Sequence, residues 1–212
     1  MSKRDWFRNT TWNEEIEKQF FIKLSRVRDK GMQAQYLNLQ AGELAYTKNI
    51  EFMRVAEMLT NKQLDEYSDE ILFRSSAFDL LGDIYGFRGD YNKSLDFYKQ
   101  ALDFEAIFPN MLTNSYSKFS VLAIKTGRTD LYDEIEKIFS EERYNDVFPF
   151  SKYMKYSILS IISKYKGNYE KAKYYASLAE KYASMKESGF SKHKTLGLVS
   201  ERDKVLDKLM YE

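Results

Sequence analysis

The chain has 212 residues, of which 43% are hydrophobic and 16% aromatic, so it is long and apolar enough to bury a core and is far from a disordered composition. With no cysteine it has no disulfide framework, thiolate metal site or cysteine nucleophile, and no apolar run approaches the roughly 20 residues that span a bilayer. The net charge of +1 hides an uneven distribution: residues 65–146 carry 17 acidic and 9 basic side chains, while residues 151–194 carry 10 lysines against 3 glutamates.

Only two prolines and nine glycines occur, and Lys, Glu, Leu, Tyr and Asp recur throughout, an all-helical inventory. MSKRDWFRNTTW, at the start, lacks the apolar stretch of a signal peptide, and a cytoplasmic location is expected. Thr11-Trp12-Asn13-Glu14 reads as a capping box. Ile16, Phe20, Leu24 and Val27 follow at spacings of 4, 4 and 3, one apolar helical face. Gly31 is predicted to end this helix, after Arg26, Arg28 and Lys30, whose charge suits a helix C-terminus. Residues 1–32 therefore form a predicted N-terminal capping helix.

A first helix pair is predicted over 33–67. Leu37, Ala41 and Leu44 face inward, Thr47-Lys48-Asn49 makes the turn, and Phe52, Val55, Ala56 and Leu59 line the second helix; Tyr36-Leu39-Gln40 offers an alternative register. In a second pair, 75–109, Phe78, Leu81, Gly82 and Tyr85 stand at spacings of 3, 1 and 3. Gly89-Asp90-Tyr91 then supplies a turn glycine and a capping aspartate, and Ser94, Tyr98 and Ala101 follow. A third pair, 112–148, has Tyr116, Phe119 and Ala123, a turn at Lys125-Thr126-Gly127-Arg128, then Leu131, Ile135, Ile138 and Phe139. In a fourth, 151–184, Tyr156, Leu159 and Ser160 precede KGNYEKA (Lys166 to Ala172), which restates RGDYNKS (Arg88 to Ser94), and Ala172, Ala176 and Ala179 continue the small positions. Gly189 breaks the pattern. Ser200 is predicted to cap a last helix within 196–212, with Val205, Leu206, Leu209 and Met210 inward.

These spacings resemble the tetratricopeptide repeat, W-x2-L-G-x2-Y followed by A-x3-F and a closing Pro in about 34 residues. Phe78 stands for Trp, Ser94 for Ala, and Pro109 comes late. The physical content is a close helix contact: Gly82 has no side chain, Ser94 and Ala101 are small, and Phe78, Leu81, Tyr85 and Tyr98 fill the space between. The turn glycines Gly89, Gly127 and Gly167 lie 38 and 40 residues apart, so helices or linkers exceed the standard unit. The resemblance covers about 33–183. It implies an all-α, right-handed superhelical α-solenoid of about four helix pairs with N- and C-terminal capping helices. DWFRNTTW (Asp5 to Trp12), QYLNLQA (Gln35 to Ala41) and SGFSKHKTLGLV (Ser188 to Val199) look like a group of bacterial repeat proteins of about this length that has no established activity.

Candidate chemistry is sparse. The one histidine, His193, sits in a Lys-flanked segment and reads as a surface or hydrogen-bonded loop residue. There is no nucleophile elbow, Walker-type loop or dinucleotide fingerprint. Paired carboxylates occur at Asp79/Asp83, Asp133/Glu136 and Glu141/Glu142, a pattern that solvated helix faces also produce. No catalytic residue, metal or cofactor is predicted. By the resemblance, groove-lining positions map to Gln35, Asn38 and Tyr46 in the first pair and to Ser76, Asp79, Asp83, Gly86 and Phe87 in the second. They map to Asn114, Ser117, Val121 and Lys125 in the third, and to Met154, Ser157, Ile161, Lys164 and Tyr165 in the fourth. Asp79 and Asp83 would make an acidic groove floor; alternatively they pair with nearby Arg74 or lysines as surface ions.

The reading is a non-catalytic module that binds a protein or peptide in the groove, with no membrane partner. One specialised form is an immunity or antitoxin protein whose acidic groove masks a bacterial toxin. A rival is nucleic-acid binding through the Lys/Tyr-rich 151–194 segment, against which stands the absence of Arg from that stretch. A homodimer joining the acidic middle of one copy to the basic segment of another is a further candidate partner arrangement.

Overall fold

A computed structural model describes residues 5–144 and 146–212, with the Glu142 side chain outside the described set; the first residues of the expected 1–32 cap and one member of the Glu141/Glu142 pair thus lie outside it. Among the described residues there are ten α-helices and no strand. The single domain expected over 1–212 divides into two compact units, Met1–Ser115 and Tyr116–Glu212.

The first unit holds α1 (Glu14–Ser25), α2 (Lys30–Tyr46), α3 (Ile50–Glu66), α4 (Arg74–Phe87) and α5 (Tyr91–Ile107). Packing is consecutive: α2 against α3, α3 against α4, and α4 against α5, with α2 also reaching α4. Leu37, Ala41 and Leu44, the predicted inner face, are fully buried and join Phe20, Leu24, Met53, Ala56, Leu59, Leu80 and Ile84 in one core. The first cap falls at Asn13, whose side chain accepts from the Ile16 amide, two residues after the predicted Thr11. Gly31 does not end α1. It lies in the first turn of α2, which is capped by Asp29 accepting from the Met32 amide. A helix-ending glycine needs the left-handed region, and Gly31 is not among the positive-φ residues.

The left-handed turn positions are Lys48 (φ 57°), Gly89 (80°), Gly127 (68°) and Gly167 (75°). Each follows the first helix of a predicted pair. Seven residues before Gly89 is Gly82 and five after it is Ser94, and the two meet: Ser94 Oγ donates to the Gly82 carbonyl at 2.7 Å. A Cβ on Gly82 would lie 2.3 Å from the Tyr98 ring. Tyr98 cannot swing clear, because it is buried and its hydroxyl donates to Asp83 Oδ1 at 2.8 Å.

The second unit holds α6 (Ser115–Lys125, from Tyr116 on), α7 (Tyr132–Ser140), α8 (Pro149–Tyr165), α9 (Tyr169–Ala183) and α10 (Lys204–Tyr211). At the positions equivalent to Gly82 and Ser94 stand Ser160 and Ala172, and the bond recurs with its direction reversed: Ser160 Oγ donates to the Ala172 carbonyl at 2.9 Å. After Gly127 the equivalent position is Tyr132, buried and edge-on to Tyr165 at 5.1 Å, and α7 starts there, behind a short 3-10 turn at Thr129–Leu131. Asp203, not Ser200, caps α10, accepting from the Val205 and Leu206 amides; a carboxylate next to the first turn also suits the helix dipole.

Gly82→Ala should lower stability by about 1–3 kcal/mol through overpacking, although alanine is the better helix former. Gly42→Ala, whose Cβ would meet only Tyr46 at 3.8 Å, should gain roughly 0.5–1 kcal/mol. Urea unfolding of both variants checks the pair.

Glu57 of α3 ties α3 to α4, accepting from the Tyr85 hydroxyl and from Arg88 Nη1 at 2.5 Å. Burial opposes its ionisation, but these two hydrogen bonds outweigh it and hold the carboxyl below its ordinary range. The contact therefore stabilises the fold above the unfolded carboxylate's range, and that stability is lost as pH falls through the depressed value. Glu57→Gln should be less stable at pH 7 and should lose less on going from pH 6 to 3, which thermal melts across that range would measure.

Candidate functional site

In the first unit α2 and α4 enclose a groove of about 230 Å³ lined by Asn38, Leu39, Gly42, Glu43 and Tyr46 from α2, by Ser76, Asp79, Leu80 and Asp83 from α4, and by Arg8. It brings together Asn38, Tyr46, Ser76, Asp79 and Asp83, all singled out from sequence. An apolar cleft of about 190 Å³ adjoins it, sharing Tyr46, Leu80 and Asp83 and adding Ala45, Lys48, Met53, Ile84 and Phe87. Phe87 and Tyr46 are exposed. Gln35, half-buried on α2, and Gly86, whose own neighbour is Ser94 Oγ at 3.0 Å from a built Cβ, line neither.

The groove acids are not loose surface ions. Asp83 accepts from the Tyr98 hydroxyl, and burial together with that neighbouring charge raises the Tyr98 phenol far above its usual value. Asp79 Oδ1 accepts from Ser115 Oγ at 2.7 Å. Ser115 Oγ lies 2.8 Å from Thr113 Oγ1. Thr113, through its amide and hydroxyl, and Ser75 all donate to fully buried Glu105 of α5, at 2.6–2.8 Å. The groove floor is therefore one end of a polar network that reaches the interior, and its carboxylates are held in place by hydroxyl donors.

The segment before α1 builds the rim. Asn9 donates from its amide and Nδ2 to Gln40 Oε1 at 2.9 and 2.8 Å, and Gln40 Nε2 returns a bond to the Asn9 carbonyl at 2.7 Å, which satisfies a fully buried glutamine. Phe7 stacks on Tyr36 at 4.3 Å and Trp6 meets Tyr36 and Phe20. Arg8 Nη1 then reaches Glu43 Oε1 at 2.6 Å inside the groove. Arg8, Glu43 and Glu105 were not picked out from the sequence. The available signal was the pairing of DWFRNTTW with QYLNLQA, two motifs that prove to pack on each other.

In the second unit the expected groove positions fare differently. Lys125 pairs with Asp203 Oδ2 at 2.6 Å, and Met154, Ser157 and Ile161 are buried on α8, against which α10 packs. Tyr153, fully buried, donates to Asp207 Oδ1 at 3.0 Å and accepts from the Asp203 amide at 2.9 Å. Burial, with the bond to Asp207, pushes its phenol up to about 12. Arg202 closes the clamp on Asp207 at 2.7 Å and Glu180 at 2.8 Å. Tyr165 is exposed, and Ser117, Val121 and Lys164 are half-buried; Asn114, which belongs to the first unit, is exposed.

SGFSKHKTLGLV folds as a loop seated on the start of α8. Ser188 Oγ donates to the His193 carbonyl at 2.9 Å, the Phe150 amide donates to the Gly197 carbonyl at 2.8 Å, and a Cβ at Gly197 would meet Phe148 at 2.4 Å. His193 is an exposed residue of this loop. No family model, curated protein or solved structure matches this chain.

Asp83→Ala removes the charged acceptor of the buried Tyr98 hydroxyl, so it should cost about 1.5–3 kcal/mol. Asp83→Asn keeps an acceptor oxygen and should cost clearly less; equilibrium unfolding of the two variants side by side tests the assignment.

Proposed function

We propose that the chain is a non-catalytic binding module whose helix pairs follow the tetratricopeptide plan, and that the groove between α2 and α4 takes a basic, partly apolar segment of a protein partner. The observation that carries this reading is the convergence of Asp79, Asp83 and Glu43 on one groove beside an apolar cleft. Two further features support it. Arg8 already places a guanidinium on Glu43, so the groove has the dimensions and charge for an arginine. The carboxylates of Asp79 and Asp83 are held by hydroxyl donors, so little ordering remains to be done on binding.

Charge selects the partner and speeds encounter, while burial of an apolar side chain against Met53, Ile84 and Phe87 supplies most of the affinity. A bacterial toxin with a basic surface is one partner that meets these terms. Fluorescence anisotropy with a labelled peptide carrying adjacent Arg and Leu, and a control with Glu in place of Arg, tests the reading. Asp79→Asn with Asp83→Asn keeps acceptor oxygens and removes both charges. The Arg peptide should bind at least tenfold tighter than the control, and the double variant should lose that margin while its melting curve holds. Equal binding of the two peptides, or an unchanged margin in the double variant, would refute the proposal.

A further inference from the structure

The second unit contains a cleft of about 510 Å³ formed by α7, α8 and α9 and distinct from the groove just discussed. Its volume lies within the range of roughly 300–1,000 Å³ common for small-molecule sites. Phe139, Leu159 and Leu178 supply apolar lining, Tyr156, Tyr174 and Tyr175 supply rings, and Lys155, Lys171, Glu136 and Ser140 supply the polar groups.

The rings are already ordered. Tyr156 stacks on Tyr175 at 5.9 Å and on Tyr182 at 5.7 Å, with interplanar angles of 24° and 10°. Tyr174, next to Tyr175 at 5.7 Å, remains 60% exposed and leaves a ring face for a further aromatic group.

The charges decide the sign of the ligand. Glu136 is taken by Lys166 at 2.7 Å, and Lys171 Nζ lies 3.7 Å from its other oxygen. Asp146, buried at 7%, accepts from the Tyr116 hydroxyl at 2.8 Å, and Lys155 Nζ lies 3.6 Å from its second oxygen. Both cleft lysines are thus steered by a carboxylate at an ion-pair distance too long for a hydrogen bond, so those contacts consume none of the three ammonium donors. Lys155 also lies 5.5 Å over the Phe139 ring and Lys171 5.6 Å over the Tyr175 ring. The 151–194 segment carries ten lysines, these two included, against three glutamates.

We infer that this cleft binds a small molecule combining a flat aromatic ring with a phosphate: the ring lies on Tyr174, and the phosphate draws Lys155 and Lys171 from their carboxylates. Lysine suits phosphate as a point charge, and ring stacking tolerates many aromatic groups.

Isothermal titration with adenosine monophosphate, phosphotyrosine, adenosine and inorganic phosphate tests this, with the first two separating a nucleotide source from a modified amino acid. At least one of the two aromatic phosphates should bind tenfold or more tighter than adenosine and than inorganic phosphate. Tyr174→Ala and Lys171→Gln should each weaken it at least tenfold, while Lys173→Gln, outside the cleft, should not. In the wild-type chain the ring resonances of Tyr156, Tyr174 and Tyr175 should shift on titration, a readout that needs no variant to fold. No binding of either aromatic phosphate at millimolar concentration, unmoved tyrosine resonances, or equal loss in Lys173→Gln would overturn the inference. So would a ten-residue thymidine oligonucleotide binding more tightly with a steep salt dependence, since that marks an extended phosphate track.

Discussion

The structure depends on how closely two helices of a hairpin can approach. At Gly82 the absence of a Cβ lets the Tyr98 ring lie where a methyl would be, and Ser94 uses the same proximity to bond the Gly82 carbonyl. The hairpin of α8 and α9 reaches the same contact with the hydroxyl moved to the other helix, from Ser160 to the Ala172 carbonyl. Spacing is conserved between the hairpins while the chemistry changes sides, because either helix can supply the donor once both are small at that level. Where the position is filled by Tyr132 the second helix is shorter and begins through a 3-10 turn.

The second theme is how polar groups are used inside a helical protein. Glu105 is fully buried yet meets three hydroxyl or amide donors, and through Thr113 and Ser115 its network ends on Asp79. Burying a carboxylate is costly unless donors surround it, so this network fixes the residues after α5 in one arrangement. The groove floor takes its rigidity from the same bonds. In the second unit the equivalent task falls to Tyr153, Asp203, Asp207 and Arg202, which bind the C-terminal helix to α8.

Much was legible in the sequence. Apolar periodicity placed Leu37, Ala41 and Leu44 in the core, and the turn positions at 48, 89, 127 and 167 followed from Lys-Asn, Gly-Asp, Gly-Arg and Gly-Asn steps. Both kinds of signal are local, because a residue's conformational freedom and its helical phase are set within a few positions. Helix ends were less legible: Gly31 looked like a stop and lies in the first turn of the next helix, since a glycine's meaning depends on its φ, and that depends on what packs nearby.

The candidate groove shows the same division. The repeat resemblance, not apolar phase, marked Asn38, Ser76, Asp79 and Asp83, and these four line one groove between α2 and α4. No local rule could say that Arg8 would come to Glu43, that Asn9 would satisfy Gln40, or that Asp203 would come to Lys125, because these contacts join residues tens of positions apart. The sequence by itself determined which residues are helical, where the turns fall and which faces are apolar. The tertiary structure alone decided which of those faces stay open and which the chain covers with its own ends.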